Sequence, residues 1–394
     1  MKTVHSFSEL LLGVFIILVV LFDWSENFPP FANYVFPLVV IVSLPRLSRI
    51  KWTFAHLAVF AFALWSFISL LWTVDPEPSK IRALTVLLMV LLFYCITSYG
   101  KSGDKAYNIF VYYFFVATTI LLFMAFFALK AYSLDVLRTS ERLETGLMDD
   151  NGFGKYLSFG SIICLFYALT KRKYKLLYIF LYIFYLYMGV VLKSKSTLLA
   201  MLLGAILLMY IYYKDRNQRK KFVLVVSGVV ALFVIIFQSG FFGDAFIRVT
   251  HMFEFAGGND EADGSTFERL ALIHQGWNDF LDSPFFGNGI GSCGKFTGGT
   301  YYHNNYVQLL AETGIVGFIF YYGMVLWLII RIWKYKFEYD GALFLVFILI
   351  MLIGDTNNTT YYHKMTYLLY GMCILFLQSK KIGDIKYKLI NKQI

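Results

Sequence analysis

His303-Asn304-Asn305-Tyr306, followed by Glu312-Thr313-Gly314-Ile315-Val316-Gly317, is the stretch of this chain whose residue types and spacing suit chemistry. An imidazole titrates near neutral pH, so His303 can take a proton from a hydroxyl in a reacting complex. The bland alternative is an interfacial histidine bonded to a neighbouring carbonyl. Asn304 suits orienting that ring or capping the helix that follows. Glu312, about two turns further on, suits orienting a partner or satisfying a buried amide. Gly314 and Gly317 read most simply as close-packing positions between helices.

Cations supply the second half of the chemistry. Lys193-Ser194-Lys195-Ser196 puts two lysines into a very short turn between two apolar runs, where an ionisable group is costly and is read as an anion-binding candidate. Lys195 is the stronger of the two, and snorkelling to the interface is the plain alternative. Among the histidines, His251, His274, His303 and His363 share one side of the expected topology, but no HExxH-type spacing exists and no metal site is expected. Cys95, Cys164, Cys293 and Cys373 form no CxxC pair, which indicates neither a disulfide framework nor a thiolate metal site.

The elements that must position these groups are membrane helices. Hydrophobic residues make up 59% of the chain, charged residues 15%, and mean hydropathy is +0.63, which excludes a soluble globular domain. Apolar runs recur from Glu9–Phe22 to Tyr361–Gln378, and they lack the period-two alternation of barrel strands. We expect an all-α polytopic membrane protein with about twelve spans, give or take two, over residues 1–394 as a single membrane domain. Ala32–Leu44 and Ala342–Gly354 are short runs, open to a tilted or re-entrant path. The first run has no small-residue cleavage site after it and reads as a retained helix.

The net charge of +10 is a topology signal. With the N terminus inside, about 23 of the 35 basic residues fall on the cytoplasmic side, so both termini are expected there. No basic face of the kind that binds nucleic acid is present, because no soluble domain carries one. The outside segments are then Lys130–Gly152, Gly243–Asn304 and Asp355–Tyr361, of which residues 243–304 form the large extracytoplasmic loop that carries site residues. Its acidic piece, Gly257 to Gly264, does not match EF-hand spacing and reads as a solvated loop. Ser265-Thr266-Phe267-Glu268 then has capping-box spacing and starts a short amphipathic helix that must end by Ser283-Pro284. Its apolar stripe, Phe267, Leu270, Ile273, Trp277 and Phe280 or Leu281, suits the membrane surface or the bundle, with Arg269 and Gly276 off the stripe. Gly287-Asn288-Gly289-Ile290-Gly291 reads as a tight return towards His303, or as a direct phosphate contact.

His303-Asn304, nine intervening residues, Gly314 and Gly317 resembles the His-Asn-x9-Gly-x-x-Gly signature of the O-antigen ligase and O-antigen/capsule polymerase superfamily. Trp72-Thr73-Val74-Asp75-Pro76 is similar to its Trp-Ser-x-Asp-Pro segment, and Asp150-Asn151-Gly152 to its pre-helix Asn motif. Arg269, Trp277, Pro284, Gly287 and Gly289 are similar to its Arg-to-Pro-x-x-Gly-x-Gly block. One departure is Ser194-Lys195 where the family presents Ser-Arg, which keeps a charge and loses the guanidinium fork.

The resemblance implies a glycosyltransferase of the bacterial cytoplasmic membrane, using a polyprenyl-pyrophosphate-linked glycan and no cofactor. His303 would be the base, and Arg269 and Lys195 would hold the pyrophosphate. Asn304, Glu312, Lys193 and Asn151 would support them. Polymerase is the favoured reading, with a second repeat unit as acceptor and room for a chain-length regulator protein as partner. Ligase, joining glycan to a lipid core, is the close alternative. A lipid-linked oligosaccharide flippase is a non-enzymatic one, but no repeat symmetry between halves supports it.

Overall fold

The computed structural model describes residues 7–23, 29–48, 50–101, 106–129, 150–192, 195–215, 218, 220–224, 226–228 and 264–390. Every regular element among them is helical: α1 (Phe7–Phe22), α2 (Phe31–Leu47), α3 (Phe54–Ile68), α4 (Pro76–Thr97), α5 (Ala106–Leu129), α6 (Asp150–Thr170), α7 (Lys175–Val191) and α8 (Lys195–Asp215). After the undescribed stretch come α9 (Gly264–Asp282), α10 (Cys293–Thr297), α11 (Asn305–Trp333), α12 (Tyr339–Asp355) and α13 (Lys364–Ile390). Helices close every backbone hydrogen bond within the segment, which is what a chain this apolar needs in lipid.

Six helices among the described residues are long and apolar enough to cross a membrane: Phe54–Leu71, Pro76–Gly100, Ala106–Ala128, Gly152–Thr170, Ser196–Lys214 and Asn305–Trp333. Three shorter apolar ones are α1, α2 and α7. The two short apolar runs belong to 17-residue helices, α2 and α12. α12 does not fold back: it starts where Tyr107 donates to Asp340 (2.6 Å) and ends at Asp355 beside Asn305, at the other end of the bundle.

Helix direction gives the bundle two distinct ends. The starts of α4, α11 and α13 lie at one end with His303, together with the finish of α1, where Asp23 meets Lys364. The starts of α1 and α3 and the finishes of α4, α11 and α13 lie at the other, where Tyr99 donates to the Ser8 carbonyl (3.1 Å). Between them lies an aromatic core that includes Phe62 packed on Tyr321 and Tyr361, with ring centroids 5.4 and 6.1 Å apart. Small residues let helices approach, as at Gly160, where an added Cβ would come within 2.4 Å of the Tyr185 ring of α7.

α9 runs from Gly264, so that Ser265 lies inside it, to Asp282, just before Ser283-Pro284, and the side chain expected to cap it lies outside those described. Its apolar stripe divides. Ile273 and Phe280 pack on a cluster of Tyr302, Val307 and Ala311, while Trp277 and Leu281 stay exposed. Gly276 is the point of closest approach, since a Cβ there would meet Val307 and Tyr302 at 2.6 and 2.8 Å.

Candidate functional site

α11 is broken, and the break organises the site. Gly314 has φ 63° and ψ −172°, so the helix turns out of register after Thr313 and resumes at Ile315. That conformation strains a residue with a Cβ, and an added Cβ would also lie 2.2 Å from the Phe285 carbonyl oxygen. The simple close-packing reading of Gly314 is therefore incomplete: the position needs glycine's backbone freedom as well as its size.

Five of the backbone groups at the break find partners outside the helix. The Ile315 and Val316 amides donate to the carbonyls of Pro284 (2.9 Å) and Phe285 (3.4 Å). The carbonyls of Ala311 and Glu312 accept from the amides of Asn288 and Gly289, both at 2.9 Å. The Thr313 carbonyl accepts from Trp65 Nε1 at 2.9 Å. This accounts for the glycine-rich turn after α9. Gly287 and Gly289 have φ of 71° and 101°, and the Asn288 and Gly289 amides are spent on α11. The turn is a clasp, and those amides are not available to a phosphate.

The same clasp joins two motifs far apart in the chain. Trp72 Nε1 donates to the Gly287 carbonyl (3.1 Å), and the Val74 amide donates to the Asn288 carbonyl (3.1 Å). The Trp72-to-Pro76 segment is thus the seat for the Pro284-to-Gly289 loop, with Pro76 opening α4.

His303 sits immediately before α11 in a left-handed conformation, φ 53°, half-buried, with its ring 4.0 Å from that of Tyr301. Both chain neighbours are anchored. Tyr302 donates its hydroxyl to the Asp279 carboxylate of α9 and its amide to Gln308 Oε1 (3.0 Å). Asn304 is the N-cap of α11, its Oδ1 accepting from the amides of Tyr306 (3.0 Å) and Val307 (3.1 Å). A non-glycine residue at positive φ costs of order 1–3 kcal/mol and persists where surrounding contacts over-determine it, a pattern concentrated at functional sites.

Below that turn lies a buried polar network. Asn305 accepts from the amides of Thr360 (2.8 Å) and Tyr361 (3.1 Å) and donates to Tyr322 (2.8 Å) and Asp355 (3.4 Å). Glu312, 1% exposed, accepts from Gln308 Nε2 and from the Tyr361 hydroxyl. The Arg82 guanidinium of α4 lies 3.5 Å from the centre of the Tyr362 ring and feels the Glu312 charge. Lys155 of α6 faces Asp355, and Lys364 pairs with Asp23. Burial, and after it the charges of Lys155, Arg82 and Lys364, hold the His363 imidazole well below its ordinary range.

The expected site residues fall around this frame. Lys195 opens α8, whose next turn packs on α6: Ser158 Oγ donates to the Thr197 carbonyl at 3.3 Å. Asn151 lies in the first turn of α6, and the side chains of Lys195 and Asn151 are outside what the structure describes. Arg269 is half-buried on α9, two turns before Gly276 and so on the face that meets Tyr302. His274 lies on α9 too. Lys193, His251 and residues 257–263 lie outside the described residues. Among the described residues, no three His, Cys, Asp or Glu side chains gather as a metal site, and the four cysteines are buried free thiols.

Arg82, Lys155, Asn305, Gln308, Asp355 and Tyr361 were not singled out from the sequence. Arg82 and Lys155 carried a usable signal, since each is a cation within the first turns of an otherwise apolar span. Asn305 and Tyr361 carried none, because their partners lie about fifty residues away (55 for Asn305 to Thr360 and 49 for Tyr361 to Glu312).

An all-helical apolar bundle with six helices long and apolar enough to cross a membrane among its described residues has the character of a polytopic membrane protein, with a buried polar network at one end. Residues 180–322 match the family model described as O-antigen ligase, so this part of the chain is similar to that family. The match takes in Lys195, Arg269, His303, Asn304 and Glu312, and ends before α12. No curated protein matches the chain.

Proposed function

We propose that the protein is a metal-independent membrane glycosyltransferase that polymerises polyprenyl-pyrophosphate-linked repeat units on the outer face of the cytoplasmic membrane. About twelve crossings and cytoplasmic termini go with this reading. The setting of His303 carries it: an imidazole in a left-handed turn, locked between Tyr302 and the Asn304 cap, at the bundle end where α8 brings Lys195 and α9 brings Arg269. The acceptor sugar hydroxyl gives its proton to His303 while its oxygen bonds to the donor's anomeric carbon. The bond from that carbon to the phosphate oxygen breaks, and its electron pair leaves with polyprenyl pyrophosphate. Arg269 as a fork and Lys195 as a point charge stabilise the negative charge that develops there.

The description of the matched family favours a second reading, ligation, in which a lipid core replaces the repeat unit as acceptor. A deletion strain separates the two: loss of long chains with single repeats remaining indicates a polymerase, and accumulation of long unattached chains indicates a ligase.

Purified protein with a defined donor and acceptor tests the chemistry. Asparagine tolerates positive φ, so His303→Asn keeps the turn and removes the base. Turnover should fall by about 10²–10⁴-fold with donor binding largely spared. An active asparagine variant rejects the base assignment, and strict dependence on added divalent cation rejects the metal-free electrostatics.

A further inference from the structure

At the end of the bundle opposite His303 lies a cavity of about 310 Å³ between the start of α3 and the finishes of α4, α11 and α13. Lys51, Arg331, Lys334 and Lys381 line it, and among the described residues no carboxylate does. We propose that this cavity binds the phosphate headgroup of an anionic phospholipid.

Three observations point to that ligand. The first is charge. Lys380, beside the cavity, is neutralised by Glu338, while none of the four lining cations has a carboxylate partner among the described residues. A general excess of basic residues would leave charge spread over loops, whereas here four cations converge on one concave site. The second is the rim. Trp52, 62% exposed, and Trp327, with the Arg331 guanidinium 5.4 Å from its ring centre, set indoles where a bilayer has its headgroups. Ile374 and Leu377 of α13 add an apolar wall that a bare inorganic anion would not use.

The third is the neutral lining. Thr97 Oγ1 contacts His56 Nε2 (3.1 Å), and Ser98 Oγ donates to the Cys95 carbonyl (2.6 Å), so these hydroxyls are committed inside the protein. Recognition is therefore left to the cations, which suits a diffuse phosphate charge. A headgroup held there ties together α3, α4, α11 and α13. The seat of the clasp after α3, Arg82 on α4, His303 before α11 and Lys364 on α13 belong to the other ends of those same helices.

The test uses the full chain in neutral detergent, read by thermal unfolding and by native mass spectrometry, with phosphatidylglycerol, phosphatidylcholine or inorganic phosphate added. Phosphatidylglycerol should raise Tm in a concentration-dependent way and remain on the protein as a retained adduct, as ligand linkage requires. Phosphatidylcholine and inorganic phosphate should do neither. The Arg331→Gln/Lys334→Gln double variant, and separately Lys51→Gln/Lys381→Gln, should lose that shift, while Lys171→Gln/Lys173→Gln keeps it. Equal protection by phosphatidylcholine, or a shift that persists in both cavity variants, overturns the proposal. Equal protection by inorganic phosphate makes this a bare anion site and overturns the lipid assignment. If one cavity variant fails to fold, the other decides.

Discussion

The two ends of the bundle handle charge in opposite ways. At the His303 end, charges of both signs lie close together: Arg82 sits over the Tyr362 ring within reach of the Glu312 charge, Lys155 lies against Gly354 next to Asp355, and Lys364 pairs with Asp23. Amides and hydroxyls fill the space between them. At the opposite end, four cations line a cavity with no carboxylate among its described lining residues. Internal pairing fixes geometry and leaves nothing for a diffusing anion, while unmatched convergent charge does the reverse. The network around Glu312 and Asp355 is a frame beside the His303 turn, and the proposed function gives anion binding at that end to Arg269 and Lys195.

The largest expected effect breaks the frame at its backbone. Gly314→Val adds a side chain at φ 63°, with its Cβ 2.2 Å from the Phe285 carbonyl oxygen, so the clasp cannot seat. Glycosyl transfer should vanish and Tm should fall steeply. Gly323→Ala on the same helix, with nothing within 4 Å of its Cβ, should change neither. A Gly314 variant with normal stability would mean that the clasp is dispensable.

A smaller effect comes from one member of the polar network. Glu312→Ala leaves the Tyr361 hydroxyl and Gln308 without their acceptor and takes a counter-charge from Arg82. A loss of about 3 kcal/mol is expected. Tyr361→Phe should then cost less in the Glu312→Ala background than in the native protein, and strict additivity in that double-mutant cycle would deny the pairing.

The smallest effect concerns pH. The folded protein holds His363 neutral, through burial first and then three facing cations, so its folded pKa lies below its unfolded one. Stability from this group is present above the ordinary histidine value of about 6.5 and is lost as pH falls below it. Tm measured from pH 7.5 downwards should show an acid decline, and His363→Asn should flatten it. An unchanged decline would assign the acid limb to other groups.

The helices were legible because their signal is local and large. Apolar length marked the six longest spans, and the Ser265-to-Glu268 spacing with Ser283-Pro284 bounded α9. Asn304 was legible as a cap, since capping is decided within three residues. The division of the α9 stripe was not, because Ile273 and Trp277 differ only in what lies opposite them in the fold.

Residue type and spacing by themselves pointed to an all-helical membrane class, to the resemblance that the family match over residues 180–322 repeats, and to the candidates His303, Arg269 and Lys195. These properties follow from hydropathy and from short motifs read along the chain. Only the tertiary structure decided what the glycines are for. In the sequence, Gly287, Gly289 and Gly314 are turn or packing residues, and Trp72 is part of a distant motif. In the fold they are one joint, because a broken helix must find new partners for its freed amides and carbonyls. The groups that supply them come from segments more than 200 residues apart in the case of Trp72 and Gly287, whose separation is 215. Likewise, no local pattern gathers Arg82, Glu312 and Tyr361. Their buried polarity is tolerable only once two helices and a connecting segment converge to satisfy it.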